Sequence, residues 1–378
     1  DATPNAASCD DPDGGRAALV AAGPGTRVST TPAAAWSPVV ACLDDGFAVA
    51  WSDEFMGTGV HWVYLALLDE NGVPRGEPLR VDTQATGAGD ALVVRRGDEL
   101  GVAWYDYRNL HGNSEIYFAR VSLTGAPIGA EVRITNADGV SHSPALLPTD
   151  DGYALAWLDG RDDISVMDPV EPFFVRLATD GAPLATERLV SAPPATGHGL
   201  SMAGGGDGYA IAWDAADRVR FARGDPDGAL RSAPVDLGSG WRTTIVETAS
   251  GYAAAWVSFD AAHVAHLDAD GARILPDTIV EARHGRPSGV DLAWTGSFEV
   301  IALVDWDEDG SQEHVYVTAI GADGSMTGAP VVASLPREFM PVSPRLCFGG
   351  GRGAVVWLDG RDEPGNYDVY FRRLELCE

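Results

Sequence analysis

The chain has 378 residues and a formal net charge of −29, with a pI near 4.4. That acidity argues against phosphate backbones and anionic lipid surfaces, so neither nucleic acid nor membrane insertion is expected. No apolar run approaches the ~20 residues of a membrane-spanning helix. Glycine (45) and proline (24) are frequent and no long amphipathic period occurs, the profile of an all-β chain rich in turns.

The chain opens at Asp1 rather than Met, as a processed mature protein would. Thr26–Thr30 reads as a lone strand ahead of the first full repeat. From there an aromatic returns at Trp51, Trp104, Trp157, Trp213 and Trp256, gives way to Leu303, and reappears at Trp357, at steps of 43 to 56 residues. Self-similarity at this period signals a repeat architecture.

The repeat around Trp157 is the clearest. Ser143–Leu147 predicts a first strand, Asp150-Asp151-Gly152 a tight turn and Tyr153–Trp157 a second strand. A loop with Asp159 and Arg161 follows, then a third strand at Phe173–Leu177, a turn at Thr179-Asp180-Gly181 and a fourth strand at Arg188–Val190. Asx-Gly turns between short alternating strands mark hairpins. Four strands per repeat, seven times over, predict a single seven-bladed β-propeller over 1–378, with 1–30 as closing segment and 31–378 as repeats. The last repeat stops after its third strand, so the N-terminal segment is expected to supply the missing outer strand and leave no open seam.

Four cysteines allow three pairings. Repeat alignment places Cys377 at a turn and Cys9 beside the turn-like Asp11-Pro12-Asp13-Gly14, while Cys42 and Cys347 fall on the innermost strands of the first and last blades. The expected pairs are Cys9–Cys377 and Cys42–Cys347. Disulfides imply an oxidising compartment, so the protein is expected to be secreted, periplasmic or on the cell surface.

The Trp-x-Asp-x-Arg motif of Trp157-Leu158-Asp159-Gly160-Arg161 and Trp357-Leu358-Asp359-Gly360-Arg361, with an aromatic strand after it, resembles the repeats of TolB-type bacterial secreted propellers. The repeated acids Asp53, Asp106, Asp159, Asp305 and Asp359 read as structural acceptors of loop amides, and Arg108, Arg161 and Arg361 as blade-to-blade links. Asp305-Trp306-Asp307-Glu308-Asp309-Gly310-Ser311-Gln312-Glu313 resembles the calcium loops of integrin-type (FG-GAP-like) propellers. Oxygen ligands at Asp305, Asp307, Asp309 and Glu313 with glycine at the sixth position suit Ca²⁺, and the site is expected to be structural.

Counting fifteen residues back from each repeat position gives the ring expected at the channel mouth: Trp36, Gly89, His142, His198, Trp241, Ser288 and Val342. Trp36, His142, His198 and Trp241 are the ligand-pocket candidates, with aromatic platforms and imidazole donors. The two histidines as metal ligands, or as satisfied polar groups at a wet mouth, are the other readings of the same residues.

No Gly-x-Ser-x-Gly elbow, His-Glu-x-x-His or phosphate loop occurs, and the four cysteines are assigned to bridges, so no catalytic residues are named. The sequence therefore leads to a monomeric, non-catalytic, lectin-like binder of an extracellular glycan or small molecule. A polysaccharide-active hydrolase or lyase using paired carboxylates, and a scaffold for surface proteins, are the alternatives.

Overall fold

The structure is a computed structural model that describes residues 19–30, 34–54, 58–109, 113–161, 170–190, 199–205, 207–282, 287–306, 312–334, 342–363 and 366–377. Among these residues there is no helix, and the strands form seven four-stranded antiparallel sheets. In the third blade the strands are Ser141–Thr149, Gly152–Asp159, Glu171–Ala178 and Arg188–Leu189, within a few residues of the sequence reading.

The innermost strands are Ala35–Leu43, Ala88–Arg96, Ser141–Thr149, Leu200–Gly205, Trp241–Thr248, Gly289–Trp294 and Val342–Gly349. Each packs beside the next, and the first packs beside the last, which closes the ring. Leu19–Arg27 pairs antiparallel with Asn366–Leu376 and completes the seventh blade, as expected. That strand begins earlier than the predicted Thr26–Thr30 and is nine residues long. Cys42–Cys347 bridges the inner strands of blades 1 and 7, with Cα atoms 5.6 Å apart. Cys377 is also disulfide-bonded, while Cys9 lies outside the described residues.

The repeated tryptophan is the keystone of six of the seven blades. Trp51, Trp104, Trp157, Trp213, Trp256 and Trp357 are fully buried. A buried indole N–H needs an acceptor, and in three blades the Asp two residues on supplies it: Trp157 Nε1 donates to Asp159 Oδ2 at 2.8 Å, Trp51 to Asp53 at 3.1 Å and Trp357 to Asp359 at 3.2 Å, while Trp256 donates to Ser239 O at 3.1 Å. The arginines of the motif are corrected in one respect. Arg161 bonds Asp159 and stacks 3.7 Å over Phe173, and Arg108 bonds Asp106 and stacks 4.0 Å over Tyr117, so both clamp their own blade rather than linking neighbours. The Arg361 side chain lies outside what is described.

Blade-to-blade contacts come from the third strands instead. Arg176 donates to Pro226 O and Arg223 to Ala269 O, each in the turn of the next blade. Beside them run aromatic pairs: Phe371 with Phe47, Phe118 with Tyr153, Phe174 with Tyr209 and Phe221 with Tyr252.

Between blades 5 and 6 this pattern breaks. The strand register puts Val264 and Glu299 at the aromatic positions and His266 at the arginine position. Glu299 is 5% exposed, its Oε1 lies 4.0 Å from His266 Nε2, and burial pushes its carboxyl upward. A buried carboxylate without a tight ion-pair partner costs folding free energy. Because folding raises this pKa, the penalty is absent in acid and grows as pH rises through the folded value. Glu299→Leu copies Leu100, which occupies the same place in blade 2. It is expected to stabilise the protein by about 1–2 kcal/mol at pH 8 and much less at pH 4, read by denaturant unfolding at both pH values.

Candidate functional site

A cavity of about 940 Å³ occupies the central channel and is lined by all seven inner strands, including Val39, Leu92, Ala145, Met202, Thr244, Leu292 and Leu346. Each inner strand is a sheet edge whose outward N–H groups require acceptors. Side chains from the preceding blades provide them: Ser201 Oγ accepts Ile245 N at 3.1 Å, and Asp291 Oδ2 accepts Leu346 N at 2.7 Å while Oδ1 accepts Thr244 Oγ1 at 3.0 Å. Asp291 thereby ties blades 5, 6 and 7, and burial raises its pKa.

The mouth is built by a repeated backbone device. Five inner strands carry a one-residue bulge where they start, as in Trp36↔Ser52 followed by Val39↔Ala50. The bulged residues Ser37, Asp90, Ser143, Arg242 and Ser343 have φ between 47° and 58°, and glycines 199 and 289 fill the matching places in blades 4 and 6. Non-glycine residues in this region are strained, and such strain concentrates at functional sites. Asp90, Arg242 and Ser343, one residue later than the count of fifteen predicts, reach the channel because the bulge adds a residue. Asp90, Gly199, Arg242, Gly289 and Ser343 all line the cavity. Asp90 accepts the Ser37 hydroxyl at 3.1 Å, and Arg242 reaches Ser288 O.

Asp214 is a strongly perturbed group of this mouth. It comes from the end of Gly208–Ala215, lines the cavity and is 4% exposed. Its carboxylate accepts the bulge amides of blade 5, Arg242 N at 2.7 Å and Thr243 N at 3.3 Å. A Cβ on Gly199 would lie 2.4 Å from Asp214 Oδ2, so glycine there makes room for the carboxyl. Burial outweighs these hydrogen bonds and pushes its pKa up to about 7. The sequence signal for it was the irregular Trp213-Asp214-Ala215, where the acid follows the tryptophan directly. A one-residue shift on a strand turns a side chain to the opposite face, so Asp214 leaves the structural set of Asp53 and Asp159 and joins the channel.

Folding raises the Asp214 pKa from 3.8 to about 7. Its contribution to stability is therefore complete below about pH 4 and lost as pH rises to 7, by on the order of 4 kcal/mol. Thermal melts from pH 4 to 8 are expected to show a shallower decline in Asp214→Asn than in the parent; parallel curves would contradict the assigned titration.

The predicted pocket residues separate. Trp241 lines the cavity and meets Phe259 edge-on at 5.1 Å. Trp36 is 47% exposed and does not line the cavity itself. His142 is buried in the wall, its Nδ1 3.0 Å from Ser143 Oγ, and His198 lies outside the described residues. Of the expected calcium ligands, Asp305 and Glu313 stand at the facing ends of Glu299–Trp306 and Glu313–Ile320, with Asp305 opposite His314 and Glu313 opposite Trp306. Asp307 and Asp309 lie outside the described residues.

No protein-family model matches this sequence, and neither does any curated protein. Among solved structures the chain is similar to the subtype N10 neuraminidase-like protein of A/little yellow-shouldered bat/Guatemala/060/2010, at 10% identity and a TM-score of 0.54, over 95% of this chain and 97% of that one. It is also similar to Trypanosoma rangeli sialidase. With the inhibitor DANA the identity is 9%, the TM-score 0.51 and the coverage 90% of this chain and 55% of that one. With sialic acid the figures are 9%, 0.52, 94% and 59%. This chain thus spans little more than half the length of the sialidase. At such identities the likeness shows the propeller fold. It also runs against the expectation of a non-catalytic, lectin-like propeller, because the propellers resembled are a sialidase and a neuraminidase-like protein. That expectation is corrected on this finding.

Proposed function

We propose that this propeller is a glycoside hydrolase whose active site is the mouth of the central channel. The observation that carries the proposal is Asp214, a carboxyl buried in the cavity wall against the blade 5 bulge amides, where burial pushes its pKa up to about 7. Such a group can donate a proton to a glycosidic oxygen. Asp90, on the bulge of blade 2 in the same cavity, is the second carboxylate and acts on water or the anomeric carbon. Trp241 and Phe259 form an aromatic platform against which a sugar ring packs. The bridge across the ring suits an oxidising compartment, so the substrate we infer is an extracellular glycan.

The test is release of reducing ends from a panel of polysaccharides and aryl glycosides, from pH 4 to 9. Turnover is expected to fall as pH rises past about 7, where Asp214 loses its proton. No turnover of any glycan across that range would overturn the proposal.

A further inference from the structure

The mouth carries aromatic side chains on two opposite sides. On one side are Trp241 and Phe259 of blade 5, with Phe259 75% exposed. On the other are Trp36 of blade 1, 47% exposed, and the edge-on pair Tyr105 and Tyr107 of blade 2, with ring centroids 5.7 Å apart. Trp36 and Trp241 are equivalent by register. Each precedes the bulge and faces the residue just after its repeat tryptophan, Ser52 and Val257 respectively. Since Trp241 lines the cavity, Trp36 occupies the matching rim position on blade 1. Gly89 holds that position in blade 2, where a Cβ would lie 2.2 Å from the Tyr105 hydroxyl, so the glycine admits the tyrosine ring to the rim.

In a closed ring of seven, blade 5 is three steps from blade 1 one way and three steps from blade 2 the other. The two aromatic groups therefore face each other across the diameter, with Asp90 and Asp214 on the cavity between them. Among the described residues, the flanking blades present small side chains at this place of the inner strand: Ser143 and Ser343 at the bulge, and Gly199 and Gly289 at the matching positions. A monosaccharide engages only one platform. Both are used only by a chain long enough to lie across the mouth. The charge of the cavity bears on the kind of chain. Asp214 and Asp291 have raised pKa values, so Asp90 and Asp217 are the acids that offset Arg242 and Arg345, and both arginines already donate to backbone carbonyls. The cavity therefore offers no net positive charge to hold an anionic sugar.

We infer that the ligand is an extended neutral polysaccharide laid across the mouth from Trp36 and Tyr107 to Trp241 and Phe259, and cut internally rather than from its end. The inference rests on the hydrolase reading for the cutting but not for the spanning, so binding tests it separately. Asp214→Asn protein, which leaves the probes intact, is titrated by calorimetry with cello-, xylo- and chito-oligosaccharides from disaccharide to octasaccharide. In at least one series the affinity is expected to rise with length. Adding Trp36→Ala is expected to remove that gain and weaken binding of the longest member by about tenfold or more. Affinity that levels off at the disaccharide, a Trp36→Ala protein that binds long chains as well as its parent, or no binding in any series would each overturn the spanning mode. Turnover in the panel assay decides the hydrolase reading independently.

Discussion

Asp214→Asn is expected to lower glycan turnover by about 10²–10⁴-fold, the usual contribution of a positioned general acid. The effect should fall on kcat, because the proton is transferred only in the transition state and the ground-state complex does not depend on it. Asparagine keeps the size of the side chain and one acceptor for the Arg242 amide, which now sits 2.7 Å from Oδ2. The variant is therefore expected to fold, and its far-ultraviolet spectrum and melt serve as controls. Substrates with good leaving groups, such as dinitrophenyl glycosides, need less protonation and should lose less activity than natural linkages. A uniform loss on all substrates would make Asp214 a structural cap of the blade 5 bulge. Parent-level turnover would move the acid role to another carboxyl of the cavity.

The second large effect concerns ring closure. Cys42 and Cys347 are 305 residues apart in sequence, and their bond joins the first and last inner strands. In the chain-entropy account, removing a cross-link over so long a loop destabilises by on the order of 6 kcal/mol. For a chain of this size that corresponds to a fall in Tm of about 7 °C. The double variant Cys42→Ala/Cys347→Ala should show it in calorimetry under non-reducing conditions. Both side chains pack in the apolar layer between blades 7 and 1, so alanine leaves no buried polar atom there. An unchanged melt would mean that the ring closes without the Cys42–Cys347 bond, through pairing of Leu19–Arg27 with Asn366–Leu376 and the disulfide at Cys377.

The two residues that matter most to the proposed chemistry show what was hidden from the sequence. Asp90 reaches the channel because a bulge turns it there, and a bulge is a choice of backbone conformation that leaves little mark in residue type: aspartate, serine and arginine all occupy it. Asp214 owes its pKa to burial under the strand of the next blade, some thirty residues away in sequence. Neither property is local. The exchange of an aromatic pair for Glu299 and Val264 is likewise visible only when two blades are set side by side.

The repeat did determine the architecture. The spacing of the tryptophans, the Asx-Gly turns and the strand-length apolar runs dictate seven four-stranded blades, since each depends on neighbours in sequence and on the alternation of faces along a strand. The incomplete last repeat and the positions of Cys42 and Cys347 dictated the manner of closure. Tertiary structure decided the site. Which acids line the cavity, which of them hold a proton near neutral pH, and which aromatics face one another across the mouth follow from packing of residues far apart in the chain. Desolvation and distance act through space, and a linear sequence records neither.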